Sequence, residues 1–280
     1  MQVLQAVITG AIQGLSEFLP ISSSAHITFS NEIYNIITGT IQTSSSYQEE
    51  IFFDILVHLA TLFAVVLYFF NDLKTIFLNG FVALKEKNFQ NNELKLIGYI
   101  ALATIITGVI GLLIKKPTEA LIKTPQCICI LLMITGFILL LSEKMYKGDK
   151  KITLKSAIFI AIAQGLAVFP GFSRSGFTIS TALFQGIERF EAARFSFLMS
   201  IPVIFLASLI YPLMELDLSV MSSFNYPAIF MGTLTSFVVG YICIKYFMAL
   251  LKKATLKFFG YYCLFVSLLM FLLFQVCHHI

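Results

Sequence analysis

Charge is what this sequence has least of: Asp, Glu, Lys and Arg make up 12% of its 280 residues. A soluble domain carries about 25%, so a water-solvated surface over the whole chain is excluded. The five cysteines (Cys127, Cys129, Cys243, Cys263 and Cys277) form no Cys-x-x-Cys pair and have no His or Asp at ligand spacing. That excludes a zinc module and a disulfide framework; buried free thiols are the expected state. Met1–Pro20 lacks Lys, Arg and a small-residue cleavage site, so it does not read as a secretory signal.

In place of charge there is apolar length. Runs over 51–70, 96–114, 125–142, 195–213, 226–251 and 258–276 each approach the ~20 residues that a helix needs to cross a hydrocarbon core. One such run could be a soluble core; six describe an all-α polytopic membrane protein, with 1–280 as a single membrane domain. Lysine placement then gives the sides, because short loops rich in Lys and Arg stay cytoplasmic. Loops 71–96, 143–155, 186–194 and 249–257 hold most of the cations, whereas 30–51 and 214–226 have none and 115–124 has three. The first four therefore read as inside and the last three as outside. The net charge of +4 reflects this orientation and gives no reason to expect a nucleic-acid partner.

Loops 143–155 and 186–194 share a side although thirty mostly apolar residues separate them. Residues 156–185 are thus expected to enter and return as a re-entrant hairpin, a shape tolerated where protein buries it or a wet cavity receives it. Arg174 would sit at its tip. A shift of 151 lays Gln13-Gly-Leu on Gln164-Gly-Leu, Phe18 on Phe169, Ser22 on Ser173 and Ser24 on Ser175. Three apolar runs follow each copy, and a unit with an odd number of spans reverses on repetition. The expectation is an inverted-topology repeat, each half a hairpin plus three transmembrane helices: repeat 1 about 1–142, repeat 2 about 156–280. The first hairpin, about 1–29, would dip from outside, and the site would lie near the midplane.

The polar residues gather in those hairpins. "QGLSEFLPISSSAH" (Gln13–His26) carries a carboxylate, an imidazole and three hydroxyls; "PGFSRSGFT" (Pro170–Thr178) carries an arginine among hydroxyls. Pro20 and Pro170 break a first arm, and the serines that follow read as caps of a second. Helix N-termini attract anions, and the guanidinium fork binds two phosphate oxygens at once. An arginine at the bilayer centre costs about 2.5–3.5 kcal/mol on insertion scales, which calls for a compensating role. Gln13 and Glu17 share a helix face; Ser22 and Ser23 lie one turn before His26. A hydroxyl beside a base, with an acid nearby, is the arrangement of covalent hydrolases. Asp54 and His58 read as structural or as support for the site, Ser196 and Ser200 as packing residues, and His278-His279 as a tail.

The two motifs resemble the signatures of the undecaprenyl-diphosphate phosphatase family, integral-membrane type. Gln13, Glu17, Ser22, Ser23 and His26 match the first signature, and Pro170, Gly171, Ser173, Arg174, Ser175 and Thr178 the second. "FFDILVHLATLFAVVLYFF" and "RFSFLMSIPV" extend the likeness to nearly the whole chain. Gln13 stands where the family also uses Glu, and Ala25 where Gly is usual. The resemblance implies hydrolysis of undecaprenyl diphosphate to the monophosphate, recycling a lipid carrier for cell-wall glycans and conferring bacitracin resistance. It further implies a dimer in the bacterial cytoplasmic (inner) membrane, with the site facing outward and Mg²⁺ or Ca²⁺ assisting, Glu17 being the candidate ligand. In the mechanism expected here, Ser23 is the preferred nucleophile with His26 as its base, and a water activated by Glu17 or His26 is the alternative. Arg174 clamps the diphosphate and Glu17 orients His26. Gln13, Ser22, Ser173, Ser175 and Thr178 bind substrate, and the polyprenyl tail lies among membrane lipids. A transporter or flippase of lipid phosphate is the rival reading, since inverted repeats with broken helices also build secondary transporters.

Overall fold

A computed structural model of the chain describes residues 1–39, 44–122, 124–148 and 150–277. Among these, eleven α-helices follow one another with one 3₁₀ turn near the end. They are α1 (Val3–Ser16), α2 (Ser23–Thr38), α3 (Ser44–Tyr68), α4 (Phe70–Lys85), α5 (Asn92–Ile122) and α6 (Pro125–Met145). Then come α7 (Leu154–Leu166), α8 (Arg174–Phe184), α9 (Arg189–Glu215), α10 (Tyr226–Leu251) and α11 (Lys257–Cys277). Six of them are long and apolar enough to cross a membrane: α3, α5, α6, α9, α10 and α11. They coincide with the six runs read from sequence, and the chain is a multi-pass membrane protein.

Five helices are too short for that. With 14 residues in α1, 13 in α7 and 11 in α8, each reaches only about 16–21 Å at 1.5 Å per residue. The α1–α2 pair turns at Glu17–Ser22, and the α7–α8 pair at Ala167–Ser173. Two sequence expectations need correction. α2 has 16 residues and runs to Thr38, past the expected end near 29. Residues 70–85, assigned mostly to a loop, form α4. That helix is amphipathic: Ile76, Gly80 and Ala83 face inward, while Phe77, Leu78 and Phe81 are exposed.

Polar ties sort the helix ends into two groups. At one end, Arg189 grips Glu143 with two bonds (2.9 and 2.6 Å), Glu143 also accepts from the Leu256 amide, and Arg194 pairs with Asp72. At the other, the Met1 ammonium and the Asn225 amide meet Glu49, and Lys115 pairs with Glu215. The grouping matches the division of loops by lysine content. Lys150 N–H donates to the Gly186 carbonyl at 2.9 Å, so the start of α7 and the end of α8 lie together at the basic end.

Small residues let the first arm sink into the bundle. Ala6, Gly10 and Gly14 on α1 face Gly232, Ser236 and Gly240 on α10; a Cβ at Gly14 would come within 2.8 Å of the Ser236 carbonyl. Such small-xxx-small faces are how helices approach without a hydrophobic driving force between them. α7 rests on α5 in the corresponding way, with Gly165 against Ile110. Between the arms lies an aromatic spine in which Phe18, fully buried, meets Phe197 edge-on at 5.6 Å, and Phe197 meets Phe69 and Phe247. Phe18 follows Glu17 directly, so this packing fixes the height of the first turn.

Candidate active site

The two turns meet. Gly171 N–H donates to Ser24 Oγ at 3.3 Å, and Ser175 Oγ donates to the Leu19 carbonyl at 3.1 Å. Each second arm starts with a serine cap: Ser22 Oγ accepts from Ala25 N–H, and Ser173 Oγ from Gly176 N–H. A side-chain cap satisfies one of the donors that a helix start leaves over. Ser22 reaches its position with φ of 70°, a conformation uncommon outside glycine. Gly171, with φ of 99°, lies against the Ile128 carbonyl and Leu131, where no Cβ fits.

Across this junction Arg174 Nη2 donates to Glu17 Oε1 at 2.6 Å. The other oxygen, Oε2, accepts from Gln13 Nε2 at 3.0 Å and from Ser23 Oγ at 2.9 Å. Glu17 is buried, while Arg174 Nη1 is a buried donor with no partner. A buried ion pair survives only with good geometry and further hydrogen bonds; Glu17 has both, whereas its partner keeps the N–H donors of Nη1 without an acceptor. A phosphate oxygen is the acceptor that this donor suits.

Sequence expectation and structure differ over His26. Its Nδ1 lies 2.8 Å from the Ser22 carbonyl, which can only accept, so Nδ1 carries a proton. Nε2 lies 2.9 Å from the Tyr262 hydroxyl, whose ring stacks on the imidazole at 5.7 Å. Neither nitrogen is bonded to Ser23. Ser23 heads α2, so its hydroxyl points back to the turn and finds Glu17 instead. The expected substrate-binding set is buried throughout. Gln13, Ser22, Ser173, Ser175 and Thr178 are buried, and their polar groups brace the turns; Thr178 bonds the Arg174 carbonyl and Ser196 (2.8 and 2.6 Å). Ser23, Ser24, His26 and Arg174 keep accessible surface.

Two participants were not predicted as part of the site, and a third, His58, reads from sequence as structural or as support for it. Tyr262 stands 236 residues from His26, and no local spacing could have indicated it. Thr135 ties the second turn through Ser173 N–H and the Gly171 carbonyl. His58, one helical turn beyond Asp54, brings Nε2 to 3.9 Å from Glu17 while Nδ1 donates to the Asp54 carbonyl at 2.8 Å. The polar pair on an apolar span was the available signal for His58. His278 and His279 lie outside the described residues.

Mg²⁺ and Ca²⁺ demand six or more oxygen ligands. Both oxygens of Glu17 are already engaged, and among the described residues no three His, Cys, Asp or Glu side chains are placed to hold a metal ion. A divalent ion beside Glu17 would take most of its ligands from substrate phosphate and water.

Fold and cluster together define a multi-pass helical membrane protein with a buried guanidinium–carboxylate pair and an adjacent hydroxyl. Residues 6–269 match the family described as "Bacitracin resistance protein BacA", and the chain belongs to it. A Treponema denticola protein named undecaprenyl-diphosphatase is 39% identical over 268 residues, 94% of each chain. One from Halalkalibacterium halodurans, named undecaprenyl-diphosphatase 2, is 36% identical over 98% of this chain and 97% of its own. A Korarchaeum cryptofilum undecaprenyl-diphosphatase is 38% identical over 96% and 98% respectively.

Proposed function

We propose that this chain is an undecaprenyl-diphosphatase, a membrane hydrolase that converts undecaprenyl diphosphate to undecaprenyl phosphate and inorganic phosphate. Recycling that lipid serves cell-wall glycan synthesis, and consuming the diphosphate confers bacitracin resistance. The observation that carries the reading is one carboxylate, Glu17, holding Arg174 at 2.6 Å and the Ser23 hydroxyl at 2.9 Å. On this reading a nucleophile, a proton acceptor and a phosphate clamp lie within one side chain of each other.

In this mechanism Arg174 receives the diphosphate on its unpartnered Nη1 and stabilises charge on the transferring group. Ser23 Oγ attacks the terminal phosphorus while its proton passes to Glu17. The Oγ–P bond forms, the P–O bond to the bridging oxygen breaks, and the lipid monophosphate leaves with the electron pair. Water then attacks the phosphoserine. Glu17 returns its proton to Ser23, and the water's proton leaves with inorganic phosphate. His26 and Tyr262 form one wall of the pocket, and His58 with Asp54 backs Glu17. No step passes through a metal ion.

The topology is part of the proposal. Two short helix pairs, each with its ends at one end of the bundle, support re-entrant hairpins in an inverted repeat. The exchange by which α1 packs on α10 and α7 on α5 favours it too, since each first arm then rests on the other half's middle span. The scarcity of cations beside α1 supports a site opening to the outside of the cytoplasmic membrane.

The test is phosphate release by the purified protein in detergent given undecaprenyl diphosphate. Release without a second compartment separates a hydrolase from a transporter, and normal release by Glu17→Ala or Arg174→Ala sinks the site. Phosphate trapped on Ser23 after rapid acid quench is the expected intermediate. Full turnover by Ser23→Ala would hand the attack to water.

A further inference from the structure

A second polar concavity lies at the basic end of the bundle, about 20 Å (one length of α7) from the turns. It is an open groove of about 740 Å³ between the start of α7 and the end of α8. Lys150, Lys151 and Lys155 line it, over an apolar wall that includes Phe159 and Phe184. The two arginines nearby are neutralised, Arg189 by Glu143 and Arg194 by Asp72 and Glu191. Among the described residues, neither these three lysines nor Lys147, which borders the adjoining recess, forms an ion pair. The rim is also fixed in place. Lys150 is held by the bond from its N–H to Gly186, and its side-chain stem runs over that glycine. Thr153 and Ser156 cap each other at the start of α7.

We propose that this groove binds the phosphate headgroup of an anionic membrane lipid, with the lysines on the phosphate and the phenylalanines against the start of an acyl chain. Basic recesses among helices at the membrane surface recognise headgroups in this way. The exposed aromatic wall is what selects a lipid over a free anion, because inorganic phosphate has nothing to lay on Phe159 and Phe184. On the orientation proposed above, the lipid belongs to the inner leaflet. The groove itself does not depend on that assignment or on the hydrolase activity.

The experiment uses the full chain in neutral detergent, with lipid adducts counted by native mass spectrometry. The probes are phosphatidylglycerol, phosphatidylcholine and inorganic phosphate. Phosphatidylglycerol is expected to bind, phosphatidylcholine and phosphate to bind far less. Each lysine near a headgroup contributes roughly fivefold, so K150Q/K151Q/K155Q should weaken phosphatidylglycerol binding on the order of a hundredfold. K252Q/K253Q/K257Q removes equal charge from the same end outside the groove and should bind as the parent does. A Tm in detergent equal to the parent's reports that the groove variant is folded. Equal loss in both triple variants would reduce the effect to net charge and overturn the proposal. So would unchanged binding by the groove variant, or equal binding of phosphatidylcholine. Displacement of the lipid by inorganic phosphate at equal concentration would overturn the lipid assignment.

Discussion

The two turns are built alike and equipped differently. Shifted by 151 residues, Ser22, Ser23 and Ser24 lie on Ser173, Arg174 and Ser175. Both outer serines of each trio sit 3.2 Å apart, and the first of each caps its helix. The third serine of each trio reaches across to the opposite turn, Ser24 to Gly171 and Ser175 to Leu19. At the middle position the likeness ends: one helix starts with a hydroxyl, the other with a guanidinium. Position 17 is a glutamate, and its counterpart is Val168. A shared scaffold thus puts different groups at matched points, and the chemistry arises from the mismatch. The carboxylate that the second turn lacks is what holds both the hydroxyl and the guanidinium.

The largest effect should come from the mismatched positions. Arg174→Ala and Glu17→Ala are each expected to lower phosphate release by about a thousandfold, the scale for losing a preorganised transition-state donor or a general base. Arg174→Lys keeps charge but not the planar fork and should recover only part of it. If Arg174→Ala lost less than Ser24→Ala, the division of labour between mismatched and matched positions would be wrong.

Next come the arms behind the turns. Gly14 on α1 meets backbone of α10, which cannot move aside; Gly165 on α7 meets the side chain of Ile110. Overpacking a core costs about 1–3 kcal/mol. Gly14→Ala should therefore lower the Tm in detergent more than Gly165→Ala. Shortening Ile110 to Ala should rescue the second variant and not the first. Equal losses, or no rescue, would show that the two arms are seated in the same way.

Smaller still is Tyr262→Phe. It removes the hydroxyl facing His26 Nε2 but keeps the ring stack, so loss of a net hydrogen bond of about 1 kcal/mol should lower the Tm slightly and leave kcat near the parent's. A thousandfold fall in kcat would move Tyr262 from the wall into the reaction.

What the sequence made legible follows from where its signals are local. Six apolar runs, the lysine division of the loops and the paired turns all rest on near neighbours, and the helix bounds agree with them. α4 escaped because its lysine and its apolar residues interleave at helical spacing, which dilutes a hydropathy run. The glycine seam between α1 and α10 joins residues more than two hundred apart, so no window contains both faces. His26 looked like the partner of Ser23 because helical spacing puts them one turn apart. Spacing shows who shares a face but not that the first residue of a helix points back to the turn, where Glu17 stands.

The matched serines provide the finest test. Ser24→Ala and Ser175→Ala each delete one bond between the turns, and by type the first looks worse, since it orphans an N–H rather than a carbonyl. Burial reverses the order. Ser24 is exposed, so water can take over the Gly171 amide, whereas Ser175 is 1% exposed and the Leu19 carbonyl would lose its donor without replacement. An unsatisfied buried group costs about 1–3 kcal/mol. Ser175→Ala should thus lower the Tm measurably, and Ser24→Ala should stay within about 0.5 kcal/mol of the parent, the range of ordinary surface substitutions. The opposite order would mean that the second turn, not the first, is the wetter side of the junction.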